Sequence, residues 1–452
     1  MVSGWENARF ELVDPRVLLV DRNSRTVTDV ERERPELCAS IRRHGVVVPV
    51  IANPTGEGLR VRDGHSRTIV SRSVVERFPV IPVIVTEAAD TEEWHWLRDQ
   101  WIANEVRAGY GTGDRMRIFE ELTLFGLGPD EVAAELGTDV EVVHAGLRAR
   151  RSEAVVAAVE RHPEMTLDQA AGLASFEDDE EVYRHLTEVL DRDPDTFDYA
   201  LAEQREESRL RREAAELRER LAREGIAVVE EIVSGTLPLT RLRDQGRTVA
   251  PEDHLSCPGH AALVTSDDGD GVVRATWLCR DWAGHGHTDS WQATSEPHRP
   301  WDAERKAERA QVVRSNQAWR AAETVRRTKL RELLARSTPP RGALRFVVES
   351  LLAGDDELLR AARDRHALAC RLPGLREPGA GRTHPLTSKL RGQDRLTTVL
   401  LAIVLAAYEQ STGPQTWRTP TPGQKRYFAA LTKWGLARHW VEKLVTDIPE
   451  AA

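Results

Sequence analysis

The sequence predicts a multidomain chain in which a mixed α/β domain is followed by mainly helical regions. Three observations predict this class. Short apolar runs alternate with helical segments in residues 8–91, whereas helical spacing dominates from residue 92 onward. A cluster of Cys and His between residues 254 and 287 lies beside short β-branched runs. The length of 452 residues corresponds to about three domains at roughly 150 residues each.

Composition excludes several classes of protein. Four cysteines in 452 residues cannot form a disulfide framework. The longest apolar run, Val399 to Ala407, is far shorter than the roughly 20 residues that a membrane span needs. The first ten residues lack the apolar stretch of a signal peptide. We therefore expect a cytoplasmic protein with no membrane partner.

The N-terminal domain, residues 8–91, is predicted from local signals. Leu37 and Ile41 have helical spacing before Gly45, a residue typical of a helix C-terminus. Pro82 predicts that the last strand lies at a sheet edge or is irregular. The predicted elements are extended segments at 10–13 and 17–21, a helix at 36–44, a strand at 46–52, a hairpin turn at 54–58, a strand at 59–62, a helix at 66–75 and a strand at 80–85.

A helix-turn-helix is predicted within the next, helical domain, residues 92–198. Apolar residues four apart give each of two short helices a narrow apolar face, and Gly137 allows a sharp turn between them. Thr138 and Glu141 have the spacing of a capping box at the start of the second helix. The apolar pairs are Val132 with Leu136 and Val143 with Leu147. A helical hairpin without a DNA role is the alternative.

Four further regions are predicted. Residues 199–235 form a charged helix or short coiled coil, because Leu210, Ala214, Leu217 and Leu221 follow a 4-3-4 spacing. Residues 236–298 form a small β region, and 339–452 a helical region of unknown role. Residues 299–338 form a basic helix, since 301–336 hold ten basic and five acidic side chains. Arg305, Arg309 and Arg320 could contact phosphates there, or the helix could simply pack in a core.

The Cys and His cluster predicts a zinc site of the zinc-knuckle kind. Thiolate and imidazole are the usual zinc ligands, and a Pro-Gly turn lets neighbouring ligands converge. The strands flanking the cluster, at 262–265 and 272–278, could carry it as a β-ribbon. The predicted ligands are Cys257, His260, Cys279, His285 and His287, with His254 a further candidate. Two buried cysteines with solvent-facing histidines are the alternative.

Residues 8–175 resemble the ParB/sulfiredoxin-like superfamily, and with the helix-turn-helix they resemble ParB-type partition proteins. The matching stretches are Ser40–Pro49, Val61–Thr68, Asn104–Arg107 and 128–148, in the family's order. The resemblance implies a sequence-specific double-stranded DNA-binding protein in plasmid or chromosome partition or in transcriptional regulation. It also implies association with the nucleoid or a plasmid, a homodimer, a partition ATPase as partner, and CTP as a ligand.

The nucleotide site that the resemblance implies consists of Gly64, His65, Ser66, Arg67, Asn104 and Arg107. Arginine suits a triphosphate because its guanidinium donates bidentate, charge-assisted hydrogen bonds. Family members that hydrolyse CTP carry glutamates where this chain has His65 and Ala103. Those carboxylates would position Mg²⁺ and water, so we expect CTP binding, with Mg²⁺ as its companion ion, and weak or no hydrolysis. A purely structural role for Gly64 and Arg67 is the alternative.

Two enzyme activities are weighed against this prediction. The sulfiredoxin branch places its catalytic cysteine where this chain has His65, so the thiolate nucleophile is missing. Cys38 lies upstream and is predicted to be a core residue. A metal-dependent nuclease or nucleotide hydrolase, with Asp63 and His65 holding the metal, is the alternative function.

The second helix of the motif is predicted to face the DNA groove. Val143 and Leu147 should face the domain core, while Arg148 and the arginines after it reach bases or phosphates. The predicted DNA-contacting residues are Thr138, Asp139, Glu141, Val142, His144, Ala145, Arg148, Arg150 and Arg151.

Overall fold

A computed structural model describes residues 8–20, 30–86, 94–105, 109–265, 270–290, 303–379, 383–390 and 393–447. The chain divides into two compact units, Met1–Thr187 and Glu188–Ala452. In the described ranges, no helix combines the length and the apolar character needed to cross a membrane.

The first unit begins with a four-stranded mixed sheet. Its elements are β1 (Arg9–Val13), α1 (Val30–Glu33), α2 (Pro35–His44), β2 (Val50–Thr55), β3 (Gly58–Asp63), α3 (His65–Arg72) and β4 (Ile81–Val85). The strand order is β1-β4-β2-β3, with β2 parallel to β4 and the other pairs antiparallel. The predicted α/β character and the β2–β3 hairpin are confirmed.

Two details of this sheet differ from the prediction. The strand expected from residue 46 begins at Val50, and Val47 and Val48 before it are exposed. Strand β4 is central and not at an edge, since it pairs with both β1 and β2. Pro82 is tolerated there because the ladder with β2 starts one residue later, at Val83, so the missing N–H lies outside that ladder.

The remainder of the first unit is helical. Its helices are α4 (His95–Glu105), α5 (Thr112–Leu124), α6 (Pro129–Leu136), α7 (Val140–Arg150), α8 (Glu153–Arg161), α9 (Leu167–Ala174) and α10 (Glu180–Arg192), which extends past the unit boundary. Helix α4 joins the sheet to the helices. Gln100 donates to the carbonyl oxygen of Arg62 at the end of β3, and the Trp101 indole donates to that of Leu136 in α6.

The second unit combines two small sheets with long helices. Its elements are α11 (Phe197–Arg223), β5 (Ala227–Val229), β6 (Thr236–Pro238), β7 (Leu242–Asp244), β8 (Arg247–Thr248), β9 (His260–Thr265), β10 (Arg274–Arg280), β11 (Thr288–Asp289), α12 (Ala303–Ala335), α13 (Ala343–Ala353), α14 (Asp356–Arg363), α15 (Ala367–Arg371), α16 (Gln393–Ser411), α17 (Pro422–Lys433) and α18 (Trp440–Asp447). The sheet orders are β5-β9-β10-β6 and β11-β7-β8.

The apolar stripe of α11 is covered within the chain. Ala214 and Leu221 share a core cluster with Ala262 and Val264 of β9, and Leu217 packs against it. The 4-3-4 spacing here belongs to a helix that lies on a sheet. Any apolar surface can cover the apolar face of an amphipathic helix, so a second helix is not required. Of the two predicted alternatives for this segment, a charged helix or a short coiled coil, the packing against β9 favours a single helix.

The C-terminal helices share one core with α12. Trp319 of α12 lies in the same cluster as Phe346 of α13 and Tyr408 of α16. Arg326, also on α12, is 2% exposed and forms ion pairs with Glu409 and Glu442. The predicted basic helix thus has a core-packed face, as the second interpretation of residues 299–338 expected.

Candidate functional site

The predicted nucleotide residues Gly64 to Arg67 lie where β3 ends and α3 begins. Gly64 has φ 99°, a left-handed conformation that favours glycine, and it precedes the first residue of α3. His65 and Ser66 follow at the start of the helix and are both buried. The free N–H groups in the first turn of a helix can donate to an anion. In the sequence-based prediction, the first turn of α3 is where the phosphates of CTP would bind.

Arg67 already has three partners in this turn. Its Nη1 donates to the carbonyl oxygens of Val48 and Pro49, each at 2.8 Å, and its Nη2 lies 2.9 Å from Asp63 Oδ2. These contacts fasten the turn to the chain before β2. They use three of the five N–H donors of the guanidinium, so a phosphate would have to engage the other two or displace these partners. Asp63 is paired with Arg67 here, and neither Asp63 nor His65 belongs to a group of three or more potential metal ligands among the described residues.

The structure says less about the other two predicted nucleotide residues, Asn104 and Arg107. Asn104 lies on α4, near its C-terminal end. Arg107 lies outside the described residues, so the structure does not locate it relative to the Gly64 turn. The prediction that Cys38 is a core residue is confirmed, since its side chain is 1% exposed and packs with Ile41 and Val70.

Helices α6 and α7 meet at the sharp turn that the sequence predicts. Gly137 adopts φ 63°, and its backbone N–H closes the C-terminus of α6 by donating to the Ala133 and Ala134 carbonyl oxygens. Helix α7 is capped by Asp139, whose carboxylate accepts from the Glu141 N–H. The predicted cap, Thr138, was wrong by one residue. Aspartate offers an acceptor at least as good as threonine, and the two positions are adjacent.

Helix α7 is pressed against α5 through Gly146. A Cβ at this position would lie 2.6 Å from Phe119 Cδ2, closer than side chains approach each other in proteins. Val143 and Ala149 are fully buried beside it. The predicted inward orientation of Val143 is confirmed, whereas Leu147 is only half-buried.

The opposite face of α7 is polar and partly exposed. Glu141, Arg148 and Arg151 are exposed, and Val142 and His144 are half-buried. Ala145 is 4% exposed, so its predicted position near the groove is wrong. Arg150 points to the neighbouring α5, where its Nε lies 2.7 Å from Glu120 Oε2. Arg148 and Arg151 are therefore the predicted basic residues with the most accessible side chains.

The basic helix α12 offers fewer cations than its sequence suggests. Arg320 Nε lies 3.3 Å from Glu206 Oε1 of α11, and Trp319 is fully buried. Val312 and Val313 are half-buried, and the surroundings of the Arg305 side chain lie outside the described part of the chain. Arg309 is exposed. The helix thus packs one face in a core and leaves part of its basic face exposed.

A Cys and His cluster lies at one end of the β9–β10 hairpin. The ligand atoms of His254, Cys257, Cys279 and His287 all lie within 4.8 Å of one another. It is the single such group of potential metal ligands in the residues that the structure describes. The separations are 3.1 Å between His254 Nε2 and His287 Nε2, 3.7 Å between Cys257 Sγ and His287 Nε2, and 3.9 Å between the two sulfurs.

These separations fit a tetrahedral zinc ion. Zn–N bonds of about 2.0–2.1 Å and Zn–S bonds of about 2.3 Å place tetrahedral ligand atoms about 3.3 Å (N–N), 3.6 Å (N–S) and 3.8 Å (S–S) apart. Each of the three measured edges lies within about 0.2 Å of its expected value. The donor set, two thiols and two imidazoles, is one that structural zinc sites use. The cluster could therefore hold a metal ion.

Three local structures bring the ligands together. A short 3₁₀ helix, Glu252–His254, positions His254, and a tight turn carries Cys257. The turn closes through hydrogen bonds from the Cys257 N–H to the His254 carbonyl oxygen and from the His260 N–H to the Cys257 carbonyl oxygen. Cys279 is the last residue but one of β10, and His287 directly precedes β11. A metal at this point would link both sheets of the second unit.

The charge states of the ligands depend on burial. Burial, and then the neighbouring His260, His287 and His285 rings, lowers the pKa of His254 to about 4, so its lone pair is available at pH 7. Burial, aided by the Cys257 thiol, raises the pKa of Cys279 to about 12. A bound divalent cation would reverse this last effect, because coordinating thiols lose their protons.

The structure selects among the predicted ligands. Cys257, Cys279 and His287 are brought together, and His254, listed only as a further candidate, completes the group. His260 and His285 are not part of it. His285 is exposed, whereas His260 is buried with its Nδ1 2.9 Å from His254 Nδ1.

Comparison with known proteins gives structural matches only. No family model and no curated protein matches the sequence. Among solved structures, the chain matches Caulobacter crescentus ParB, C-terminally truncated, complexed to the centromeric parS site (16% identity, TM-score 0.30, 39% of this chain and 91% of that one). It also matches the truncated C. crescentus ParB complexed with CTP-γ-S (18% identity, TM-score 0.19, 40% and 98%) and a Pnob8-like ParB-N domain (14% identity, TM-score 0.31, 40% and 84%). The chain thus resembles ParB proteins at low identity over about two fifths of its length.

Proposed function

We propose that this chain is a ParB-like, sequence-specific double-stranded DNA-binding protein that acts in plasmid or chromosome partition or in transcriptional regulation. One observation carries the proposal: α6 and α7 are two short helices joined by a sharp turn at Gly137, their shared face is buried, and α7 leaves Glu141, Arg148 and Arg151 exposed, as a DNA-reading helix-turn-helix would require. A homodimer, a partition ATPase as partner and a nucleoid-associated or plasmid-associated location in the cytoplasm follow from the same resemblance.

Titration of labelled duplexes at two salt concentrations tests this role. Arg148→Ala should weaken binding by about 1–3 kcal/mol, or about 5- to 150-fold, if Arg148 reads a base, and by less if it meets only phosphate. Arg345→Ala is the matched control, since it removes the same charge from an exposed site on α13 of the second unit. Wild-type affinity in Arg148→Ala and Arg151→Ala alike would mean that α7 does not contact DNA.

We further propose that the Gly64 turn binds CTP, with Arg67 and Arg107 donating to its phosphates. The left-handed Gly64 and the first turn of α3 support this assignment. Arginine also suits phosphate oxygens because its guanidinium donates charge-assisted hydrogen bonds. Mg²⁺ would accompany the nucleotide. Hydrolysis should be very slow, because His65 and Ala103 replace the carboxylates that would position water.

Calorimetry with CTP, with ATP as the comparison nucleotide, tests the nucleotide proposal. Arg107→Ala should weaken CTP binding. Arg67→Ala should weaken it too, and it should also lower the melting temperature, because Arg67 fastens the turn to Val48 and Pro49. Absence of heat with the wild-type protein, also when cognate DNA is present, would refute the proposal. Rapid CTP turnover would refute the expected lack of hydrolysis.

We also propose that the metal is a structural Zn²⁺ held by His254, Cys257, Cys279 and His287. Three of the six separations between ligand atoms lie near tetrahedral values, which supports zinc. Four protein ligands also leave no open coordination position for a substrate, as in structural zinc sites. Elemental analysis should find about one zinc per chain, and Cys257→Ser or Cys279→Ser should lose it and destabilise residues 236–290. His285→Ala, one turn away and exposed, should keep it. Protein purified under reducing conditions without stoichiometric zinc would exclude this site.

A further inference from the structure

His260 is held in a fixed position beside the cluster without belonging to it. Its ring stacks on that of Trp277, with centroids 5.2 Å apart and an interplanar angle of 19°. Its Nδ1 lies 2.9 Å from Nδ1 of His254. The remaining ring nitrogen, Nε2, is buried and has no hydrogen-bond partner among the described residues. The contact with His254 is thus the hydrogen bond that the His260 ring makes.

The two nitrogens of His254 face different neighbours. Nε2 lies 3.1 Å from His287 Nε2, within the cluster, whereas Nδ1 faces His260. A metal bound at Nε2 uses the lone pair of that atom, so the proton of the neutral ring must sit on Nδ1. Nδ1–H can then donate to His260 Nδ1, and the proton of His260 must sit on its Nε2. One arrangement of protons satisfies both contacts of His254.

From this geometry we propose that His260 is a positioning residue of the metal centre, which orients His254 by accepting its Nδ1–H and is not itself a ligand. The inference rests on the proposed zinc site. Histidines that bind metals almost always donate their second ring N–H to an acceptor, which fixes the tautomer and the orientation of the ring. Here the acceptor is a neutral imidazole in place of the more frequent carboxylate or carbonyl oxygen.

The fold explains why His260 can serve this purpose. His260 is the first residue of β9 and pairs directly with Cys279 of β10. Its backbone N–H also donates to the carbonyl oxygen of Cys257, which closes the turn that carries this ligand. The hairpin that supplies Cys279 therefore also supplies the residue that orients His254. A change at His260 should act on metal affinity through His254.

Two substitutions separate positioning from ligation. His260→Phe keeps an aromatic ring that can stack on Trp277 but removes the acceptor. His260→Asn places its Oδ1 close to where Nδ1 of the histidine lies, so it keeps an acceptor for His254. His254→Ala removes a proposed ligand, and His285→Ala is the control for a nearby, exposed histidine outside the group.

Zinc affinity of the full chain is measured by competition with a chromophoric chelator, and the ligand set by the absorption spectrum of the Co²⁺ form. We expect His260→Phe to bind zinc about 10- to 100-fold more weakly than wild type, with a four-coordinate Co²⁺ spectrum of unchanged ligand set at saturation. His260→Asn should recover most of the affinity, His285→Ala should match wild type, and His254→Ala should lose the tetrahedral spectrum.

The opposite pattern would overturn the inference. If both His260 variants lose the tetrahedral spectrum while His254→Ala retains it, His260 is the ligand. If His260→Phe binds zinc as wild type does, or if Asn does not restore what Phe removes, His260 does not position His254. A wild-type chain that binds neither zinc nor Co²⁺ refutes the zinc proposal itself, and that result is visible before any variant is compared.

Discussion

Gly259 offers a direct test of how tightly the backbone surrounds the proposed metal centre. A Cβ at this position would lie 2.3 Å from the carbonyl oxygen of Arg280, 2.7 Å from Cys279 Sγ and 2.7 Å from His285 Cδ2. Two of these neighbours are a backbone atom and a proposed ligand, which cannot move aside as the end of a flexible side chain can. Gly259→Ala must therefore displace the end of β10.

The size of the effect follows from these distances. Ordinary contact begins near 3.4 Å, so the Arg280 carbonyl would have to retreat by about 1 Å. Overpacking of this kind typically costs about 1–3 kcal/mol. The hydrogen bond from the Arg280 N–H to the Gly259 carbonyl oxygen, 2.8 Å long, would be strained or lost, at about 0.5–1.5 kcal/mol. We expect a total of about 1.5–4.5 kcal/mol, or roughly a 10- to 2000-fold loss of zinc affinity if the cost falls on the bound form.

The assay is zinc competition together with thermal unfolding of the full chain. Gly379→Ala is the matched control, because it is the same substitution in the same unit at a glycine whose Cβ would meet nothing within 4 Å. It should leave both zinc affinity and melting temperature unchanged. If Gly259→Ala binds zinc as tightly as the control and has the same melting temperature, the close packing described around Cys279 is wrong.

Three further predictions concern the core, the protons and the DNA. Arg326→Met should destabilise the second unit by about 3–5 kcal/mol, because it leaves the buried Glu409 and Glu442 without their shared cation. Urea unfolding measures this loss, and an unchanged unfolding midpoint would contradict the prediction. Zinc binding at pH 7 should release at least one proton, because the Cys279 thiol has a pKa of about 12, and none from His254, whose pKa is about 4, so zinc affinity should fall as pH falls. Calorimetry in buffers of different ionisation enthalpy counts the protons, and a count of zero would exclude a Cys279 thiolate ligand. Glu141→Ala should relax the preference for the cognate sequence more than it lowers DNA affinity, which titration of cognate and scrambled duplexes measures. Equal losses of affinity on both duplexes would contradict a base-reading role for Glu141.

Local signals in the sequence predicted much of the first unit. Gly45 ends α2, the turn at 54–58 joins a hairpin, and Gly137 separates two short helices, each as expected. These features depend on a few neighbouring residues, because turn geometry and capping act over three or four positions. The cap of α7 was wrong by one residue because Thr138 and Asp139 are adjacent residues that both suit a cap.

Features that depend on distant partners were not predictable in this way. The stripe at Ala214, Leu217 and Leu221 shows only that a helix covers an apolar surface, and here that surface is on β9. Pro82 suggested an edge strand because proline has no N–H to donate to a neighbouring strand. A central strand is nevertheless possible here, because its ladder with β2 begins only at Val83. The pairing register between elements that are distant in the sequence decides such cases, and the local sequence pattern does not determine that register.

The metal cluster shows the same limit in its ligands. His254 and His260 each stand three residues from Cys257, so spacing alone treats them as equivalent. His260 is drawn away from the cluster by its pairing in β9 and its stacking on Trp277, while the 3₁₀ helix turns His254 inward. His285 and His287 are likewise separated by one glycine, and the strand that follows brings His287 to the site.

Selection of bound duplexes from a random pool by the full chain, with and without CTP, tests the central claim most directly. The account predicts that the wild-type chain enriches one defined duplex motif and that Arg148→Ala, which removes an exposed side chain of α7, enriches it less or not at all. A wild-type chain that enriches no motif above the background under either condition would contradict sequence-specific DNA binding. A motif enriched equally by wild type and Arg148→Ala would contradict the assignment of α7 as the helix that reads it.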